Sequence, residues 1–286
     1  MRQEMQIPSN NGDFGCKVLL TGEYLVIDGA PSLAIPSGVF SGGWIFETSE
    51  RSEEKWGNFA THLQSLPFID AELFYEDLKG GLDYHSNIPI GYGLGSSGAL
   101  VAGIYRRYAR HLQHDLKLLK QELAQIESFF HGSSSGIDPL VIYLNEPVLT
   151  GVERVETVNI PSRATENWSL FDSGISRSTS PLVAYFKKQI KPHNTLSLEQ
   201  LMDLNQELIH GFMTHQTSDF DTVLIKKLSQ LQLDVFDDII DEKTKFWWKN
   251  GLKTDDYYFK LCGAGGGGMY LVYQNVKLLP FPSLRF

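Results

Sequence analysis

Cysteine is scarce in this chain of 286 residues: there are two, Cys16 and Cys262, far apart and in no metal-ligand spacing. Two cysteines make no disulfide framework, so a disulfide-built secreted scaffold is excluded and both are expected as reduced thiols in a cytoplasmic protein. No apolar run approaches the roughly 20 residues that a membrane helix needs, and no membrane partner is expected. The N-terminal stretch MRQEMQIPSNNGDFG has neither an apolar core nor a small-residue cleavage site, which argues against a secretory leader. Basic residues are also in deficit: 25 Lys and Arg stand against 34 Asp and Glu, a net charge of −9. A nucleic-acid binder needs a basic footprint to neutralise phosphates; the expected partner is a small molecule instead. There is no internal repeat, no low-complexity segment, and no GxxxxGK followed by Ser or Thr, so an ordinary P-loop is excluded. A Rossmann unit fails as well. The run before the first glycine patch ends in Asn87-Ile88-Pro89, and its neighbours form no βαβ pattern.

Glycine and serine are concentrated in three short patches, GYGLGSSGA at 91–99, HGSSSGID at 131–138 and GAGGGG at 263–268. Each adjoins a strongly patterned element, unlike a flexible linker. Strands are expected at Lys17–Leu20, Tyr24–Ile27 and Ser32–Ile35. A helix follows from Gly98, with Leu100, Ile104 and Tyr108 at helical spacing. A cleaner one carries Leu116, Leu119, Leu123, Ile126 and Phe130 on one face. Leu140–Leu144 reads as a strand. Val152–Asn167 is polar and weakly patterned, which suggests two domains, 1–155 and 156–286. In the second, Ser197 and Gln200 resemble a capping box before a stripe of Leu201, Leu204, Leu208 and Phe212. Two more helical stretches run to about Asn250. Tyr257–Leu261 and Met269–Tyr273 read as strands around the GAGGGG run. Strands and helices in both halves give an α+β protein.

The patches carry the chemistry. Glycines let the backbone approach a ligand and take positive φ, and Ser96 and Ser97 open a helix whose unpaired N–H groups and dipole favour an anion such as phosphate. Glu127 borders the apolar face of its helix, where a carboxylate is costly unless paired or metal-bound. Within twelve residues of it come His131, the run of three serines 133–135 and Asp138. Magnesium takes oxygen ligands from one or two carboxylates plus phosphates, which this set can supply. Five glycines in GAGGGG are hard to explain as scaffold, since each weakens a regular element. Lys17 is by itself an ordinary strand-end lysine, and it matters only if Asp138 comes near it.

Taken together, these segments resemble the GHMP kinases. GCKVLLTGEYLVIDGAPSLAIP, PIGYGLGSSG and KLCGAGGGG match the family's three motifs in order, and the resemblance runs from about Gly15 to Tyr273. Two further stretches, ESFFHGSSSGID (127–138) and DSGISRSTSPLV (172–183), point to the mevalonate kinases. The resemblance implies a two-domain fold, an N-terminal mixed α/β domain with the ATP loop and a ferredoxin-like α+β C-terminal domain. It implies ATP-dependent phosphorylation of a hydroxyl, mevalonate first, with ATP and Mg²⁺ as cofactors. Asp138 would be the base and Lys17 its partner. Ser97 and Glu127 would hold Mg²⁺, and Gly91, Gly93, Leu94, Gly95, Ser96, Ser97 and Gly98 would cradle the phosphates. Glu23, Tyr24, His131, Ser135, Thr179, Gly263, Ala264 and Gly265 would line the substrate side. Two positions depart from the pattern: Tyr24 replaces a histidine, and Gly98 stands where alanine is usual. Thr21-Gly22-Glu23-Tyr24 is more similar to the phosphomevalonate kinases, which keeps a phosphorylated acceptor open, with Arg177, Lys187 and Lys188 as the nearby cations. A homodimer is compatible with the family, although no apolar helix face in the sequence demands one.

Overall fold

The computed structural model describes residues 13–46, 52–214 and 222–286; the first twelve residues, most of the stretch read for a leader, lie outside them. In chain order the elements are β1 (Phe14–Thr21), β2 (Ser32–Phe46), α1 (Ser52–Gln64), α2 (Ala71–Lys79), β3 (Leu82–Ser86), α3 (Ser96–Tyr108), α4 (Leu116–His131) and α5 (Ile137–Leu144). Then come β4 (Val148–Thr150), β5 (Val155–Thr157), β6 (Trp168–Asp172), α6 (Thr179–Tyr185), α7 (Thr195–Thr214), α8 (Thr222–Phe236), α9 (Glu242–Thr254), β7 (Tyr257–Leu261) and β8 (Met269–Gln274). Among the described residues no helix is long and apolar enough to cross a membrane.

These elements form two compact units. Of the described residues, one takes 13–17, 40–46, 52–88 and 95–146; the other takes 18–39, 89–94, 147–214 and 222–286. In the first, the C-terminal half of β2 pairs antiparallel with β3, from Gly42 opposite Ser86 to Phe46 opposite Leu82. Trp44 on that strand meets Phe74, Tyr84 and Tyr108 edge-on at 5.0–6.3 Å between ring centres, the geometry aromatic quadrupoles prefer. Helix α4 begins where Asp115 accepts from the N–H groups of Lys117 and Leu118 at 2.9 and 3.0 Å, an N-cap that satisfies two otherwise orphan donors. Of its expected stripe, Leu119, Leu123 and Ile126 are fully buried as the periodicity predicts, whereas Leu116 in the first turn is half-buried and Phe130 near the last is exposed.

In the second unit, the first residues of β2 pair with β4, Ser32 opposite Thr150, and β4 pairs with β5. A separate antiparallel sheet has the order β6-β8-β7, and α8 and α9 pack on β7. Trp168, Trp248, Phe259 and Tyr270 fill its core, each at most 1% exposed.

Four local expectations change. Tyr24–Ile27 is not a strand: Gly22 and Tyr24 both take positive φ, and Leu25–Asp28 closes a short 3-10 turn. Leu140–Leu144 is the body of α5, every residue of it buried; a continuous apolar run looks alike in a buried helix and a buried strand. Helix α7 starts at Thr195, which leaves Ser197 inside the first turn rather than at the cap. Helices α1 and α2 were not foreseen.

Candidate active site

In the first unit, Lys17 and Asp138 meet. The Lys17 ammonium lies 3.0 Å from Asp138 Oδ1, with the lysine side chain 7% exposed and the aspartate 34%. Lys17 comes from β1 and Asp138 from the first turn of α5. Both α3 and α5 begin at a glycine with positive φ, Gly95 at 77° and Gly136 at 70°, a conformation other residues rarely take. A Cβ on Gly95 would lie 3.2 Å from Lys17 Cγ and 3.5 Å from Asp138 Cβ, so the start of α3 sits directly against the ion pair. Gly95 offers no side-chain cap, which leaves the first-turn amides of α3 available to an anion.

Next to this pair is a hydroxyl and carboxylate cluster. Ser97 Oγ donates to Glu127 Oε1 at 2.9 Å and lies 3.1 Å from His131 Nε2. Ser134 donates to the other Glu127 oxygen and accepts from the Gly136 N–H at 2.9 Å. The sequence named Ser135; that hydroxyl instead accepts from Ile137 N at 3.4 Å, at the start of α5. Glu127 is 5% exposed. Burial first, and the charge of Asp138 second, push its pKa above the ordinary carboxylate value; the hydrogen bonds from Ser134 and Ser97 and the nearby His131 offset this only in part. Among the described residues no group of three or more His, Cys, Asp or Glu is disposed to hold a metal. What is present is one buried carboxylate with two serine hydroxyls on it, Ser97 and Ser134. That hard oxygen set fits Mg²⁺, which keeps water and phosphate oxygens for its remaining positions.

In the second unit, three loops stack. Arg177 N donates to the Gly91 carbonyl at 3.1 Å, and Ser176 Oγ donates to the Ile90 carbonyl at 3.1 Å. A Cβ on Gly93 or Gly263 would lie 2.7 or 2.9 Å from Arg177 Nη2. The guanidinium therefore lies between the 91–94 segment and the GAGGGG loop, and it donates to Thr179. Gly268 is held at both ends of its peptide: its N–H donates to the Ile175 carbonyl at 2.7 Å and its carbonyl accepts from Ser173 Oγ at 2.9 Å. Gly266 N donates to the Ile239 carbonyl at 2.6 Å.

Glu23 and Tyr24 turn inward in this unit. Tyr24 is 5% exposed, stacks on Phe186 and Phe236 with ring centres 4.5 and 5.2 Å away, and donates its hydroxyl to the Ala264 carbonyl at 2.6 Å. Burial raises its phenol pKa well above the ordinary tyrosine value, which keeps it a donor. Glu23 forms an ion pair with Lys260, each side chain 2% exposed. Sequence reasoning passed over Lys260 and Ser134. Lys260 sits one residue from the end of β7, beside a glycine motif, and no local pattern marks its partner 237 positions away.

The family described as GHMP kinases N terminal domain matches residues 64–146. The mevalonate kinase of Pyrococcus horikoshii is 32% identical over 156 residues, 44% of this chain and 46% of that protein; the match thus spans less than half the relative's length. Among solved structures, the Methanococcus jannaschii mevalonate kinase superposes with a TM-score of 0.64 at 14% identity, covering 96% of this chain and 92% of that one. A Streptococcus pneumoniae phosphomevalonate kinase, in complex with phosphomevalonate and AMPPNP, gives 0.60 at 16% identity and 92% of each chain. The chain therefore carries a GHMP kinase N-terminal domain and folds as the GHMP kinases do.

Proposed function

We propose that this chain is an ATP-dependent kinase of the GHMP type that phosphorylates a small-molecule hydroxyl, with mevalonate, giving 5-phosphomevalonate for isoprenoid biosynthesis, as the acceptor. The observation that carries this reading is the Lys17–Asp138 pair at 3.0 Å beside the uncapped start of α3. Phosphoryl transfer is mostly positioning and charge stabilisation, so a protein needs amide donors, a cation and one orienting carboxylate. Asp138 orients the acceptor hydroxyl and takes its proton. Lys17, buried beside it, holds the carboxylate in place at 3.0 Å. The segment Gly91–Gly98, through its α3 amides, binds the phosphate oxygens of ATP. Mg²⁺ held by Ser97 and Glu127 would neutralise phosphate charge. Arg177, fixed by Thr179 and by the Gly93 and Gly263 backbones, supplies a cation for an anionic acceptor.

That same arginine favours a second reading, a phosphomevalonate kinase, because a guanidinium pairs with phosphate as readily as with carboxylate. A binding protein without catalysis is disfavoured, since Lys17, Ser97, Glu127 and Asp138 are all present and the two pairs are joined. The test is ADP release from Mg-ATP with mevalonate, phosphomevalonate, homoserine or galactose, in wild type and Asp138→Asn. Turnover with mevalonate, lost by roughly 100-fold or more in the variant, is the expected result. Turnover with phosphomevalonate alone moves the acceptor to the second reading. A wild type that neither turns over nor binds Mg-ATP overturns the kinase reading.

A further inference from the structure

Lys260 has no part in the roles above, yet it is one of the most deeply buried charges among the described residues. Its ammonium pairs with Glu23 and also donates to the Leu261 carbonyl at 2.7 Å. The N–H of that same Leu261 donates to Gln232 Oε1 at 2.8 Å, and Gln232 is 3% exposed. Leu261 ends β7, two residues before the GAGGGG loop opens at Gly263. Two buried polar side chains, Lys260 and Gln232, thus hold the carbonyl and the N–H of Leu261 just before the loop, and Glu23 holds Lys260 in turn. Beside Glu23, Tyr24 ties the Ala264 carbonyl, so the 22–24 segment grips the loop at two points.

An ion pair buried this deeply is a poor way to gain stability, because an apolar pair of similar volume is often as stable or more so. An ammonium can do what an apolar side chain cannot: hold a carboxylate and a carbonyl at once, each in a fixed direction. We propose that Lys260 is a positioning residue, which with Glu23 locks the start of the Gly263–Gly268 loop onto the Gly22–Tyr24 segment and so sets where the loop meets the acceptor. The proposal rests on the kinase reading for its kinetic consequence. It also changes the part of Glu23, which acts through Lys260 and not by touching the acceptor.

The test uses the full chain as wild type, Lys260→Met, and the double variant Glu23→Leu with Lys260→Met. Three quantities are read: melting temperature, kcat and KM for acceptor and Mg-ATP, and hydrogen exchange of the amides in 262–268 without substrates. Lys260→Met takes the ammonium away from a buried carboxylate and melts lower. The double variant removes both charges and regains the wild-type melting temperature, but its loop amides exchange faster. Its kcat/KM for the acceptor falls by roughly 100-fold, the scale of a 1 Å misplacement, with the KM for Mg-ATP unchanged. Wild-type exchange and wild-type kinetics in the double variant overturn the proposal. If the double variant does not fold, Glu23→Gln decides: faster loop exchange with a raised acceptor KM supports the lock, and no change in either removes it. A wild type that neither turns over nor binds Mg-ATP defeats the kinase reading, and the exchange measurement still decides for or against Lys260.

Discussion

Replacing Gly98 with alanine sets two well-understood effects against each other. Gly98 lies in the first turn of α3, where alanine is favoured over glycine by about 1 kcal/mol in helix propensity. Its φ is not in the left-handed region, so the backbone itself raises no objection. The objection comes from α5. A Cβ at Gly98 would lie 2.9 Å from Pro139 N and 3.1 Å from the Asp138 carbonyl carbon. Those are backbone atoms, which cannot swing aside as a side chain can. To restore ordinary contact, the first turn of α5 has to retreat by about half an ångström, and overpacking of this kind costs about 1–3 kcal/mol. The clash wins, with a net loss of about 1 kcal/mol and a melting temperature lower by about 2–4 °C. The same retreat carries Asp138 away from Lys17, now 3.0 Å apart, and turnover falls by about tenfold or more, since misplacement by 1 Å can cost about 100-fold. Differential scanning calorimetry and the ADP-release assay measure both effects on one preparation. A Gly98→Ala protein that melts higher than wild type and turns over at the wild-type rate would refute the reasoning, because propensity would then have won and α5 would have had room to give.

Two further outcomes follow from the two units. Glu127 has a folded-state pKa above its unfolded value, so between those two values the folded chain holds a proton that the unfolded chain has lost. The contribution of this group to stability is therefore greatest at acid pH and declines as pH rises through that window; Glu127→Gln, followed by denaturant titration across pH without Mg²⁺, flattens the decline. Mg²⁺ affinity, which needs the carboxylate ionised, rises over the same window, and a pH-independent Mg²⁺ titration would count against Glu127 as a ligand. Tyr24→Phe removes one buried hydrogen bond and leaves the Ala264 carbonyl without its donor; urea unfolding is expected to show a loss of about 1–2 kcal/mol, and an unchanged midpoint would mean that water replaces the phenol.

That Ser97, Glu127 and Asp138 gather in the first unit was legible in the sequence because the segments carrying them are short-range or motif-bound. Glycines before a helix start, a carboxylate on an apolar helix edge and an aspartate after a serine run each carry a local signature. Lys17 reads as an ordinary lysine until β1 brings it to Asp138, and only the family pattern anticipated that meeting. The second unit was less legible for the same reason in reverse. Glu23 and Tyr24 look like residues offered to a ligand, but the positive φ values at Gly22 and Tyr24 turn the chain so that both side chains point into the core. The apolar run Tyr24–Ile27 is too short for periodicity to separate a turn from a strand, and after Asp138 the rest of α5 is a continuous apolar run, which removes periodicity altogether.

The long strand β2 has a consequence for how this protein can be divided or recombined. Its first residues, Ser32–Ala34, complete the sheet that β4 needs, while Gly42–Phe46 pair with β3. A fragment starting at 147 would keep β4 and β5 but lose β2 on the other side of β4, and a fragment ending at 146 would strand residues 18–39 without β4. Cutting the gene in the middle therefore yields two incomplete pieces, not two modules. The segment 95–146 is different: it is continuous and wholly within one unit, it carries Ser97, Glu127 and Asp138, and it starts at Gly95. It is the stretch that could be exchanged with a relative as a block, bringing its carboxylates along while the recipient supplies the lysine.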